Sequence, residues 1–348
     1  MPFGRAGSKL RERMSTRVVI AGGGVAALEA LLALHADAGE LVDVTLVADT
    51  DAFGRYSLAT LVEGTGARFV HGSVASISAG ARELVLDGGR RMPYDALLQA
   101  TGARTDAFAG DQATDADVTV VVPRGVLWSL PAYELALRTG ARVVTHEAQP
   151  LDIFGREAAR VVGGMLRRAG VAVQTGVTAG VVPAPGVISL PVPRGPRVDG
   201  LPSTADGYLD CDQHGRVRTV RAVWAAGDAT AQPIKQGGLA AQQADAAAAD
   251  IARLAGAPTR PRPFRPVLRG LLRTADGPLY LRRALAVDDG GATVSDEPLW
   301  WPPSKVASRR LAAHLTRLDV TAGLAENPQR ASRSARMAPR RPEPTVAT

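Results

Sequence analysis

The sequence is short of the residues that staple a fold or carry it across a membrane. One cysteine, Cys211, stands in 348 residues, so neither an intrachain disulfide nor a redox-active thiol pair can form. No apolar run reaches the ~18 residues that mark a spanning helix. The first 17 residues contain no apolar stretch of the ~7–15 residues found in a secretory leader, so a cytoplasmic protein is expected. Aromatic residues make up 4% of the chain, and only three lysines, Lys9, Lys235 and Lys305, stand among 41 basic residues. The five histidines show no metal-ligand spacing, and His146 and His214 read as loop residues.

What is present is mainly apolar, at 46%, and rich in glycine and alanine, which suits helices packed closely on a parallel sheet. The formal net charge of +7 does not predict specific nucleic-acid binding, because of where it lies. Residues 1–17 carry five cations against Glu12, and residues 325–348 carry five against Glu326 and Glu343, which leaves residues 18–324 neutral. Both ends read as disordered basic segments, 1–15 and 321–348. Met14 directly precedes the first strand, so residues 1–13 read as an upstream extension.

Strand, glycine turn, helix and strand follow one another at Arg17–Ala21, Gly22–Gly24, Val25–Ala36 and Val42–Val47, the opening of a doubly wound sheet. Gly22-Gly23-Gly24-Val25-Ala26-Ala27 matches G-x-G-x-x-A between a strand and a helix. Gly22 and Gly24 permit a tight turn and a close backbone approach to a pyrophosphate, and Ala26 and Ala27 permit close helix–strand contact. An acid at the end of the second strand should meet ribose hydroxyls; Asp49 is the first candidate and Asp51 the second. Strands are also expected at Val74–Ile77, Ala96–Ala100, Val118–Val122, Ala141–Thr145, Val171–Thr175 and Val220–Ala226. Helices are expected at Ser129–Arg138, Gly155–Arg168 and Gly238–Leu254. Pro183–Pro202 reads as a crossing segment. Residues 267–320 read as strands followed by a helix near Lys305–Leu318.

Three separated segments together resemble the pyridine nucleotide–disulfide oxidoreductase-like flavoproteins, the broad family that includes type II NADH dehydrogenases and sulfide:quinone oxidoreductases. They are the Gly22 fingerprint, Tyr94-Asp95-Ala96-Leu97-Leu98-Gln99-Ala100-Thr101-Gly102-Ala103, and Val223-Trp224-Ala225-Ala226-Gly227-Asp228. The resemblance spans roughly residues 17–320. It implies an α/β fold of two Rossmann-like doubly wound dinucleotide-binding units with a small C-terminal α+β unit. The implied divisions are an FAD-binding domain from 16–103 plus 200–255, a degenerate NAD(P)-binding-like domain from 104–199, and a C-terminal domain from 256–320. It further implies that Asp228, after Gly227, holds the ribitol of FAD. Thr101 and Gly102 would let the chain pass close to the cofactor, and the Val74 backbone would meet adenine. Gln236 and Gly238 would start a helix aimed at the flavin's pyrimidine edge. Lys235 would tune the flavin, and Arg55 would lie near it.

The pattern departs from the family in the second unit. There Val118–Val122 runs into Pro123-Arg124-Gly125-Val126-Leu127-Trp128-Ser129-Leu130-Pro131, with one glycine where the fingerprint needs more. NAD(P)H binding is therefore doubtful, although Arg124 and Glu134 remain candidates for contacting a nucleotide. With a single cysteine flanked by Asp210 and Asp212, thiol chemistry at the flavin is not expected, and Cys211 reads as structural. Two functions stay open: an FAD-dependent oxidoreductase passing electrons from a small-molecule donor to a quinone or other acceptor, and an FAD-binding module with lost turnover. Trp300-Trp301-Pro302-Pro303, followed by Lys305, Arg309 and Arg310, leaves open a peripheral contact with the inner face of the membrane.

Overall fold

The computed structural model describes residues 15–105, 118–177, 186–285 and 291–326. The expected disorder of residues 1–14 and 327–348 lies outside that range.

The first βαβ unit forms where it was read. β1 (Thr16–Ala21) leads into α1 (Val25–Ala38) and β2 (Val42–Ala48), and β1 and β2 pair in parallel from Thr16↔Val42 to Ala21↔Val47. α1 ends because Gly39, at φ +50°, turns its N–H back to the Leu34 carbonyl. A short hairpin, β3 (Ala52–Phe53) and β4 (Tyr56–Ser57), precedes the one-turn helix α2 (Leu58–Val62). Ser57 starts this helix by accepting the Thr60 N–H at 3.0 Å. β5 (Arg68–His71) follows, then a three-stranded antiparallel flap, β6 (Val74–Ser78), β7 (Glu83–Leu86) and β8 (Arg91–Pro93), and then β9 (Ala96–Gln99).

The second unit repeats the plan: β10 (Thr119–Val122), α3 (Leu130–Thr139), β11 (Arg142–Thr145), α4 (Arg156–Arg168) and β12 (Val173–Gln174). α4 buries Ala158, Ala159, Val162 and Leu166, the 3–4 spacing of a one-faced helix. β13 (Val187–Ser189) completes this sheet in the order β12-β11-β10-β13. It lies within the segment read as a plain crossing, so that reading is corrected. Its Val187-Ile188 run is too short to stand out among prolines, yet Thr119↔Val187 to Val121↔Ser189 pair in parallel.

The chain then returns to the first sheet as β14 (Val223–Ala225), giving the order β14-β9-β1-β2-β5, followed by α5 (Gly237–Leu254). The outgoing and returning segments between the units are joined to each other. Arg104 N–H donates to the Arg194 carbonyl and Arg194 N–H to the Arg104 carbonyl, both at 2.8 Å. Alanines of α1 (Ala26, Ala27, Ala30, Ala33) and α5 (Ala240, Ala244, Ala247, Ala248) share one buried cluster; small side chains let the two helices close on each other over the sheet.

An antiparallel unit, β15 (Val267–Thr274), β16 (Gly277–Ala284) and β17 (Thr293–Ser295), precedes α6 (Leu311–Glu326). α6 starts six residues later than the expected helix. It also runs past 321, where the tail was expected to begin, to Glu326, the last described residue. The helix starts where it does because of a carboxylate on another element. Glu29 of α1, fully buried, accepts the N–H groups of Arg309 (2.9 Å), Arg310 (2.7 Å) and Leu311 (2.6 Å). Three donors at a helix N-terminus and the Arg310 charge offset the desolvation that pushes the Glu29 pKa up. Arg310 in turn bridges Asp37 of α1 and Asp245 of α5.

Glu29→Ala strands those N–H groups in a dry site. We expect a loss of about 3 kcal/mol in urea unfolding, at one unsatisfied buried donor per ~1–3 kcal/mol, and early proteolysis within residues 300–326. A loss below ~1 kcal/mol would mean that water reaches the gap.

Candidate functional site

In an open parallel sheet, ligands bind beyond the carboxyl ends of the strands, where the strand order reverses. Here the reversal falls between β1 and β9, because β2 and β5 lie to one side of β1 and β9 and β14 to the other. The turn after β1 is pressed against β9. A Cβ on Gly22, whose φ is +131°, would stand 2.2 Å from the Ala100 carbonyl oxygen, so no side chain fits. Gly22 N–H donates to Val47 O and Ala100 N–H to Ala21 O, both at 2.7 Å, which ties the turn to both neighbouring strands. Around Gly24 the space is open. Gly24 is the N-cap of α1; it supplies no capping side chain, and the first turn carries no acid. The positive end of this 14-residue helix, directly after the Gly22-Gly23 turn that lines the cleft, therefore has no side-chain cap and no acid in its first turn.

The cleft holds about 310 Å³ and is lined by Gly22, Asp49, Val74, Thr101 and Gly102 of the predicted set. Asp49 is exposed on its wall, whereas Asp51 pairs with His71 at 2.8 Å and does not line it. Sequence reasoning missed three contributors. Gln99, the polar residue in the otherwise apolar β9, is fully buried on the wall; its Nε2 donates to Thr101 Oγ1 at 3.0 Å and its Oε1 has no partner. Arg104 and the returning segment Pro196–Asp199 close the side, held where Ile77 N–H donates to Asp199 O at 2.9 Å. A segment without periodicity carries no signal for such a role.

Gly227-Asp228 follows β14, next to β9. Gly227 N–H donates to Gln243 Oε1 at 2.8 Å, and a Cβ there would press on Ala26 of α1 at 3.0 Å, so Ala26 and Gly227 meet as two small residues must. Asp228 is half-buried, and burial raises its pKa against the pull of Lys235. Lys235 donates to the Thr230 carbonyl at 2.6 Å and sits 3.7 Å from the centroid of the Tyr208 ring. Burial lowers its pKa to about 8, opposed by Asp228. Gln236 is buried and caps α5 through Leu239 N–H at 2.9 Å, while its Nε2 donates to the Arg269 carbonyl. Gly238 lies under that side chain, and a Cβ there would meet Gln236 Oε1 at 2.9 Å. The structure does not bring Arg55 to the cleft: its guanidinium pairs with Asp319 of α6 and with the Tyr56 hydroxyl. Charge pairing to a distant helix carries no sequence-local signal.

The residues present fit a dinucleotide. A glycine turn, an uncapped helix start, an orphaned acceptor at Gln99 and an exposed acid at the end of β2 are gathered at one sheet edge. The chain has the fold of the sulfide:quinone oxidoreductases and ferredoxin reductases. The solved sulfide:quinone oxidoreductase of the hyperthermophilic bacterium Aquifex aeolicus is 18% identical, with a TM-score of 0.68 over 81% of this chain and 87% of that one. A Rhodopseudomonas palustris ferredoxin reductase, for its CYP199A2 system, is 17% identical at a TM-score of 0.59, over 78% of this chain and 83% of that one. A pyridine nucleotide-disulfide family oxidoreductase from Enterococcus faecalis V583 is 15% identical at 0.58, over 78% and 75%. No protein-family model and no curated protein sequence matches this chain.

Within this fold, the turn after the first strand of the second unit is packed shut by its own residues. Glu147, just past β11, is buried, and its carboxylate accepts the hydroxyls of Ser129 (2.9 Å), Tyr133 (2.7 Å) and Thr145 (3.0 Å). Burial raises its pKa, and the three hydroxyls oppose the rise. The preceding turn is folded on itself: Val126 is buried, its N–H donates to Pro123 O, and His146 Nε2 lies 3.0 Å from its carbonyl. Glu134 is occupied by Lys305, and Arg124 stays exposed. The Cys211 thiol is pushed up to about 12 by burial and by Asp210 and Asp212, so it is protonated at neutral pH.

Two glycines separate binding from folding. Gly22→Ala collides with backbone, and we expect it to lose more than ~1 kcal/mol of stability along with dinucleotide affinity. Gly24→Ala meets open space, so it should melt like the parent while losing affinity at least tenfold by isothermal titration. Equal affinity in Gly24→Ala would show that no phosphate approaches this turn.

Proposed function

We propose that the chain is an FAD-dependent oxidoreductase whose electron donor is not bound as NAD(P)H in the second unit. The observation that carries this reading is the convergence at one sheet edge. The Gly22 turn, Thr101-Gly102 and Gly227-Asp228 leave three neighbouring strands, β1, β9 and β14, beside an uncapped helix N-terminus and an acceptor without a partner. In this reading the α1 N-terminus and the Gly22–Gly24 backbone hold the pyrophosphate, Asp49 the adenosine ribose, the Val74 backbone the adenine, and Asp228 the ribitol. Bound FAD supplies two-electron acceptance and release. Lys235 places a titratable cation next to Asp228, and α5 lends its positive end, capped by Gln236. Both favour an anionic reduced cofactor.

The closure around Glu147 supports a donor other than a nicotinamide nucleotide. Three protein hydroxyls already satisfy the carboxylate that would otherwise meet a ribose. A small-molecule donor and a quinone or similar acceptor fit best. Sulfide-type thiol relay is not part of the proposal, because Cys211 is single and held protonated. No helix among the described residues is long and apolar enough to cross a membrane. The same closure also favours a second reading, an FAD-binding module without turnover.

Purified protein supplied with FAD and desalted should keep a flavin band at about one per chain. NADH and NADPH should leave that band unbleached under anaerobic conditions, and bleaching would overturn the donor assignment. Flavin reduced by dithionite should be reoxidised by a water-soluble quinone; failure with every acceptor would favour the inert module. The sign of the Lys235 effect also follows. A lysine whose pKa falls from 10.5 to about 8 costs stability that builds up as pH drops from 10.5 to about 8 and is fully present below 8. Lys235→Met should therefore raise apoprotein stability below pH 8 and remove any inflection near 8 in the flavin midpoint potential.

A further inference from the structure

A second pocket lies between α5, β15 and the chain entering α6, apart from the Gly22 cleft. It holds about 320 Å³, and its walls include Arg269, Arg309, Trp300, Trp301, Gln242 and Asp245. Arg269 is half-buried, and its Nε is hidden from solvent with no hydrogen-bond partner. No carboxylate among the described residues pairs with it. The residue directly opposite on β16 is Arg282, also without an acid partner there. Like charges facing each other across a sheet repel, and a partly buried guanidinium left uncompensated is costly. Burial and Arg282 together hold the Arg269 pKa below its usual value. The acid on the pocket wall, Asp245, is already engaged by Arg310, and Gln242 is spent on the Gly238 and Val267 backbone.

The aromatic side is equally unfinished. Trp300 packs edge-on to Tyr280 at 5.1 Å and donates Nε1–H to Ser304 O, while Trp301 is 83% exposed. The pocket continues through Arg309 into a second hollow of about 520 Å³ that Arg260, Arg262 and Arg265 also line. Asp37 and Asp245 line the same hollow but are held by Arg310, and none of these three arginines has a carboxylate partner among the described residues. Guanidinium forks with no acid to meet, beside an open indole, suit an oxyanion carried on an apolar or planar body. Two or more cations match a dianion better than a carboxylate.

We propose that this pocket binds a phosphoester, with its phosphate seated between Arg269 and Arg309 and its organic body against Trp301. The ester can be a soluble nucleotide-type molecule or an anionic phospholipid headgroup; the seat is the same. The inference does not rest on the flavin reading.

The test is tryptophan fluorescence and thermal melting of the full chain titrated with adenosine monophosphate, and separately with phosphatidylglycerol and phosphatidylcholine vesicles. A saturable change with the nucleotide, weakened at least tenfold by Arg269→Gln, supports a soluble ester. A change with phosphatidylglycerol but not phosphatidylcholine vesicles, weakened alike, supports a lipid headgroup. No response to either probe, or one that Arg269→Gln leaves intact, overturns the proposal; binding at the Gly22 cleft or to the basic ends would behave in that second way. Arg269→Gln should melt no lower than the parent in phosphate-free buffer, because it removes a repulsion. Should it fail to fold, Arg309→Gln, at an exposed position, tests the same seat by the same criteria.

Discussion

The cleft depends on one close approach of backbone to backbone. β1 ends where its turn rests on the Ala100 carbonyl, with room for hydrogen and nothing larger at Gly22. That contact fixes where α1 begins, and so where the uncapped peptide N–H groups point. It also fixes the spacing between β1 and β9, through which the Thr101-Gly102 exit is set. Gly227 meets Ala26 in the same manner one strand further along. Small residues just past three strands and on one helix thus set the spacing of the elements around the cleft.

α1 does a second job one turn further on. The face that carries Ala26 and Ala27 packs against the sheet and α5, and Glu29 turns its carboxylate to the start of α6. A lone buried acid would be costly; here three peptide donors and Arg310 compensate it. The C-terminal unit is therefore keyed to α1 by a charge, and α6 takes its starting point from a residue 282 positions earlier.

Much of this was legible in the sequence, and the division between what was and was not has a physical basis. Strands buried on both faces read as continuous apolar runs, as in Val18-Val19-Ile20 and Leu97-Leu98, and glycines mark the turns where backbone must pass close. Gly22, Asp49, Val74, Thr101 and Gly102 accordingly meet in one cleft. What sequence could not convey was pairing between distant side chains. Arg55 was assigned to the cofactor and instead meets Asp319, Glu147 attracted no notice because two of its three hydroxyl partners come from α3 and its N-cap, 14 and 18 residues earlier, and Gln99 carried no signal of its own within β9. β13 and α2 were hidden by length, since three or five residues hold too little periodicity to read.

The reciprocal bonds between Arg104 and Arg194 bear on how the two sheets can move. Two connections lying side by side and bonded in both directions act as a short ladder with one pair of rungs. Sliding one segment along the other breaks both bonds at once, whereas folding about the pair stretches neither. The two segments are therefore held in register by a pair that fails together, which keeps Arg104 against Pro196–Asp199 on the cleft wall.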